Sequence, residues 1–323
     1  MSEALRFNNI SFSYDGERVV DGVSFSVEAG EIVCLLGPSG CGKTTCLRLA
    51  AGMERPDDGE ISLDGEVVST ATNVAPPETR QIGFLFQEFA LFPHLSVLDN
   101  ICFGLNTLSA DKQKARALEL LKEVNLTGFA DKYPNSLSGG EQQRAALARA
   151  LAPSPRLMLM DEPFSNLDPQ LRDRMRDLTL RLIKHVGAAG LVVTHDAADA
   201  LRMADRIAVQ LDGKILQIDT PENVYRQPAQ PEVATMFGNV NFLKADAGAY
   251  GVRPNDIALT GEDDDFTFDG EITGTRSMGG DWLCLIKTDA GQTFEALLGG
   301  DTPPPEAAHK FFVPRARLML FKD

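Results

Sequence analysis

Four stretches of the chain are apolar almost without interruption: residues 32–36, 82–86, 157–160 and 191–193. Runs this short, with no polar alternation, predict strands buried on both faces, as in a parallel sheet covered by helices. A different pattern holds from residue 5 to 27. There Leu-Arg-Phe, Ile-Ser-Phe-Ser-Tyr and Val-Ser-Phe-Ser-Val are broken by the turn signals Asp15-Gly16 and Asp21-Gly22. A second such unit, Ile61-Ser-Leu, Asp64-Gly65 and Val67-Val68, follows. Both predict an antiparallel sheet. Helical spacing appears at 112–124 and 142–151, and most clearly at 170–186, where Leu171, Met175, Leu178, Leu182 and Val186 share one face. The elements add up to an α/β core with a helical insertion near 88–155. After the Pro-marked stretch from Thr220-Pro221 to Pro231 the composition turns Gly-rich and acidic, with short strands, so 239–323 is expected to be a small all-β domain behind a core of 1–238.

Composition narrows the class. A chain of 323 residues, 43% hydrophobic and 24% charged, suits two globular domains and excludes disorder and fibre. The net charge of −15 repels phosphate backbones, which argues against nucleic acid as a partner. No stretch approaches the roughly eighteen apolar residues of a membrane span, and residues 1–7 lack the layout of a secretion signal, so the chain is expected to stay where it is made. Cys34, Cys41, Cys46, Cys102 and Cys284 form no Cys-x-x-Cys pair, which fits free thiols in a reducing cytosol.

The candidate chemistry lies where apolar runs end. Gly37-Pro-Ser-Gly-Cys-Gly-Lys-Thr44 follows the run at 32–36 and matches the phosphate-binding loop pattern. Its glycines let backbone N–H groups face phosphates, Lys43 is placed to reach the β and γ phosphates, and Thr44 to hold Mg²⁺. The run at 157–160 ends in Asp161 and Glu162, one carboxylate suited to a metal shell and the other to a water attacking the γ phosphate. Two further runs end in Gln87, suited to the metal and the water, and in His195, suited to the γ phosphate. Each reads equally well alone as a harmless loop residue; parallel strands ending at one edge would bring them together. Leu137-Ser-Gly-Gly-Glu-Gln-Gln-Arg144 opens a helical run with Ser138 as N-cap and Gly139 and Gly140 leaving the backbone bare, either a second anion grip or simply a well-capped helix.

With these strings in this order, residues 4–238 resemble the ATP-binding cassette family, the nucleotide-binding subunits of ABC transporters. The phosphate loop is Gly37, Pro38, Ser39, Gly40, Cys41, Gly42, Lys43, Thr44 and Thr45; Gln87 stands in the glutamine loop, 137–141 is the signature and 157–162 the second phosphate motif. Ser165-Asn-Leu-Asp168 is the D-loop, His195 the switch histidine, and Tyr14 the adenine-stacking ring. The resemblance implies a Mg-ATP-dependent ATPase that works as a head-to-tail homodimer, with Ser138 and Gly140 of one copy closing over the ATP on the other. It also implies permease partners, a periplasmic or surface substrate-binding protein beyond them, and a peripheral position on the cytoplasmic face of the cell membrane. The apolar segment 88–101, with Phe89, Leu91, Phe92, Leu95 and Val97, is the expected receiver of the permease.

Gly251-Val-Arg-Pro254-Asn-Asp-Ile257 resembles the entry of the OB-like regulatory domain of import ATPases. Residues 82–87, Phe92-Pro-His-Leu-Ser-Val97, Ala150-Leu-Ala-Pro153 and Tyr225-Arg-Gln-Pro228 are most similar to ferric iron importers. Sulfate, molybdate, polyamine or sugar uptake is the alternative, and a non-transport ABC ATPase a more distant one.

Overall fold

A computed structural model describes residues 3–165, 167–245 and 248–321, which divide into two compact units, Met1–Pro221 and Glu222–Asp323. In the first unit, β1 (Glu3–Tyr14), β2 (Glu17–Glu28), β4 (Asp58–Leu63) and β5 (Glu66–Thr70) form an antiparallel sheet in the order β2-β1-β4-β5. Phe7 and Phe25 stack across its first pair at 4.7 Å. The six-stranded sheet beside it runs β10-β9-β3-β8-β7-β6. It is made of β3 (Ile32–Leu36), β6 (Ile82–Leu85), β7 (Leu157–Asp161), β8 (Ala189–Thr194), β9 (Arg206–Leu211) and β10 (Lys214–Asp219). β3, β7 and β8 are buried along their whole length, which is why their sequences show no polar alternation.

Helices α1 (Lys43–Ala51), α5 (Pro169–Val186) and α6 (Ala197–Met203) belong to the same unit. Between β6 and β7 the chain inserts α2 (Val97–Cys102), α3 (Ala110–Glu123) and α4 (Gly139–Leu151). Arg80 ties the antiparallel sheet to α1. Its buried guanidinium donates to the carbonyls of Leu49 and Ala50 at the end of α1, to those of Val68 and Ala75, and to the Ser69 hydroxyl. A cation at a helix C-terminus is stabilised by the dipole, and Gly52, the C-cap of α1, leaves the room it needs.

The second unit opens with short helices α7 (Pro221–Arg226) and α8 (Pro231–Thr235). Its strands β11 (Asn241–Ala245), β12 (Gly248–Val252) and β17 (Met319–Phe321) form a three-stranded sheet. β13 (Phe266–Ser277), β14 (Asp281–Thr288), β15 (Thr293–Gly299) and β16 (Ala308–Val313) form a four-stranded one, ordered β15-β14-β13-β16. Cys284 and Ile286 on β14 and Phe294, Ala296 and Leu298 on β15 alternate into one core with Phe311 and Val313.

The units part at Pro221, earlier than the boundary expected at 238–239. The reason is Arg253, which lies over the Tyr225 ring at 3.9 Å and donates to the carbonyls of Tyr225 and Ala234. These bonds join α7 and α8 to the strands that follow, so the Pro-marked stretch belongs to the tail.

Candidate functional site

The register aligns Leu36 of β3 with Thr194 of β8, and Val193 of β8 with Asp161 of β7. Three strands therefore end side by side, and the loops that follow them carry the expected phosphate loop, the Asp161-Glu162 pair and His195 on one edge.

The phosphate loop is shaped by close approach. A Cβ on Gly37 would lie 2.2 Å from the Gln210 carbonyl, and one on Gly42 would lie 2.4 Å from the Val19 carbonyl. Gly42 also has φ +99°, a left-handed conformation in which a side chain is strained. It is the N-cap of α1, so the next residue, Lys43, opens the helix whose N-terminal N–H groups and dipole favour an anion. The buried Lys43 ammonium donates to the carbonyls of Gly37 at 2.8 Å and Pro38 at 2.7 Å, and lies 3.8 Å from Cys41 Sγ. Ser39 and Gly40 are exposed at the tip, whereas Thr45 is buried on α1.

Thr44 Oγ1 donates to Asp161 Oδ1 at 2.9 Å. Burial raises the Asp161 carboxyl above the usual carboxylate range; the Thr44 hydroxyl acts the other way, and the Glu162 charge adds to the rise. A cation would reverse that penalty. The donor pair also fits Mg²⁺, a hard ion that takes few protein oxygens and completes its shell with phosphate and water. The described residues include no group of three or more His, Cys, Asp or Glu side chains able to hold a metal by themselves.

Glu162 has φ +43°, uncommon for a residue with a side chain and worth about 1 kcal/mol of strain. Its N–H donates to the Val193 carbonyl, and its own carbonyl accepts from the Ser165 hydroxyl. So held, its Oε1 lies 3.0 Å from Nδ1 of the half-exposed His195. Lys43, Thr44, Asp161, Glu162 and His195 are thus gathered at one edge.

No hydrogen bond or ion pair among the described residues joins Gln87, Tyr14 or Asp168 to this group. Gln87 is exposed beyond β6, at the edge of the sheet past β7. Tyr14 donates its hydroxyl to Glu54 and meets Phe12 edge-on at 4.7 Å. The Asp168 carboxylate accepts from the Leu171 N–H as the N-cap of α5. Asn166 of the same loop lies outside the described residues.

Ser138 and Glu141 form a capping box at the start of α4, with hydrogen bonds of 2.7 Å to Glu141 Oε2 from the Ser138 N–H and hydroxyl. Gly139 is exposed, and a Cβ there would meet nothing within 4 Å. Gly140 is buried, and a Cβ there would lie 2.8 Å from the end of the flexible Leu171 side chain of α5. No hydrogen bond or ion pair among the described residues joins 138–140 to 37–45. Gln143 fastens α4 to the loop after β7 by donating to the Pro163 carbonyl.

Gln210 supports the phosphate loop and was not among the residues expected from the sequence. Fully buried on β9, it donates to the Cys41 carbonyl at 2.8 Å and so pins the phosphate loop from beneath. The one signal for it is a glutamine closing the apolar run 207–209 just before the Asp212-Gly213 turn.

A phosphate loop, a carboxylate pair and a histidine on one edge of a parallel sheet, with a capped helix start elsewhere, define a P-loop ATPase of the cassette type. Comparison with known proteins places it further. Residues 20–165 match the ABC transporter family model. The spermidine/putrescine import ATP-binding protein PotA of Mesoplasma florum is 38% identical over 88% of this chain and 88% of its own. The Fe(3+) ions import ATP-binding protein FbpC of Escherichia coli O157:H7 is 39% identical over 79% of this chain and 80% of its own. Among solved structures, the dimeric post-hydrolysis state of an ATP-binding cassette with ADP and phosphate superimposes with a TM-score of 0.60 at 33% identity, covering 67% of this chain and 98% of that one. The chain belongs to the ATP-binding subunits of ABC transporters, of the import type, and is an ATPase. Among the described residues no helix is long and apolar enough to cross a membrane.

Proposed function

We propose that this subunit hydrolyses ATP between two copies of itself arranged head to tail, and that opening and closing of the pair drives a permease that imports ferric iron. The observation that carries the reading is the Glu162–His195 contact beside the Thr44–Asp161 pair, at the mouth of the phosphate loop. Lys43 and the α1 N-terminus bind the phosphates, and Tyr14 stacks on the adenine. Glu162 orients the attacking water and takes its proton, and His195 holds the γ phosphate end. Thr44, Asp161 and Gln87 would hold Mg²⁺, which when bound supplies charge neutralisation at the β and γ oxygens.

One edge grips the triphosphate from one side only. Ser138, Gly139 and Gly140 of a second copy supply the other side, with Asp168 at the same junction. Two helix N-termini facing one γ phosphate stabilise the charge that develops during transfer. Segment 88–101 receives the permease, which places the subunit on the cytoplasmic face of the membrane; a substrate-binding protein serves the far side.

Ferric iron is supported by the segments at 82–87, 92–97, 150–153 and 225–228 and by the likeness to FbpC. The likeness to PotA supports polyamine as the second reading. Glu162→Gln in the full chain tests the site: hydrolysis should fall by about 10²-fold or more while ATP still binds. Wild-type turnover in that variant would remove Glu162 from its role. Uptake of labelled ferric iron and of labelled putrescine by cells with and without the subunit decides the cargo.

A further inference from the structure

The arginines of α5 and α6 fall into two sets. Arg172, Arg176 and Arg202 are paired with Asp196, Asp199 and Asp173. Arg174 and Arg181 of α5, and Arg144 of α4, have no hydrogen bond or ion pair among the described residues, and all three line one cleft of about 460 Å³. Leu171, Met175 and Leu178 supply its apolar wall, and Asp177 is the one carboxylate on the lining. Arg144 Nε is shielded from solvent there without an acceptor. In a chain of net charge −15, three guanidinium groups against Asp177 on the lining and Glu141 beside Arg144 make a local positive site. None of the phosphate-loop residues, Asp161, Glu162 or His195 lines it.

We propose that this cleft between α4 and α5 binds a small amphipathic anion, a phosphate or carboxylate group on a short apolar body, with Arg144, Arg174 and Arg181 around the charge and Leu171, Met175 and Leu178 against the body. Guanidinium forks suit both anions, and the volume is that of a small-molecule site. The position gives binding a consequence. Leu171 is the side chain against which Gly140 packs, so an occupant touches the residue that seats the signature turn.

The test is calorimetric titration of the full chain with monomeric octyl phosphate, with ADP saturating so that the phosphate loop is filled. Saturable one-site binding is expected, weakened about tenfold or more in Arg174→Gln/Arg181→Gln, which removes two charge-assisted contacts from an exposed helix face. Arg181→Glu alone, a second variant, should weaken it as well. Octanol and inorganic phosphate should each bind more weakly than octyl phosphate. Unchanged affinity in both variants, octanol binding as tightly, or no saturable heat would overturn the proposal. So would capture of the chain by phosphatidylglycerol vesicles without binding of octyl phosphate, which would assign the arginines to a membrane surface.

Discussion

Gln210→Ala is the sharpest test of how the phosphate loop is held. The substitution removes a fully buried amide whose Nε2 donates to the Cys41 carbonyl at 2.8 Å and whose Oε1 lies 3.9 Å from Cys46 Sγ. Leaving a buried carbonyl without its donor costs about 1–3 kcal/mol. The cavity left by the truncated side chain adds to this, for a total loss of about 3 kcal/mol. A second effect falls on function. Once Cys41 is unpinned, the loop must be ordered by the nucleotide, at about 1–2 kcal/mol for a residue's backbone, which weakens ATP about tenfold. Urea unfolding measures the first effect and nucleotide titration the second. Gln210→Glu keeps the shape, but at neutral pH it must either bury a charge facing the carbonyl or take up a proton to donate to it, so it should also destabilise, less so at acid pH. If Gln210→Ala unfolds at the wild-type urea midpoint and binds ATP with wild-type affinity, the pinning role is wrong.

Other outcomes follow from the same geometry. Burial raises the Cys41 thiol above its usual range, so alkylation should be slow at pH 7, speed up about tenfold per pH unit without levelling near 9, and be blocked by ATP; mass spectrometry of the labelled chain reads this. Asp199→Asn weakens a buried pair with Arg176, which keeps its contact with Asp173, and should cost about 1–3 kcal/mol in denaturant unfolding. The Ser138 hydroxyl and N–H hold the Glu141 carboxyl below its ordinary value of 4.5. The Glu141 half of the capping box is therefore fully stabilising above that value and lost as pH falls through the lowered one, so the stability gap between the wild-type chain and Ser138→Ala should narrow at acid pH.

The candidate edge is legible in the sequence because its parts are local. A phosphate loop is a contiguous string between a strand and a helix, and Asp161, Glu162 and His195 each end an apolar run, so parallel pairing was enough to expect them on one edge. The three long helices were visible from spacing, since an amphipathic face repeats along them. The supports were not legible, because they are long-range. Gln210 meets Cys41 across 169 positions, and Arg80 meets Ala50 across 30. The β9–β10 hairpin escaped because β10 is an edge strand whose residues are only half-buried, which blurs its pattern. The tail boundary was set late because the stretch 221–235 looks like a linker, yet Arg253 folds it onto the second unit. The neighbour of Gly140, Leu171 on α5, is likewise invisible in the string.

The central claim is that ATP is enclosed between two copies, with the signature turn of one over the phosphate loop of the other. Ser39 and Ser138 are both exposed, and their places in the two motifs make them the positions to join. In a Glu162→Gln background carrying Ser39→Cys and Ser138→Cys, oxidation with Mg-ATP present should yield a disulfide-linked dimer joined through 39 and 138, and little without nucleotide. A chain that stays monomeric under saturating Mg-ATP, with no such crosslink even when its permease is present, would contradict the account.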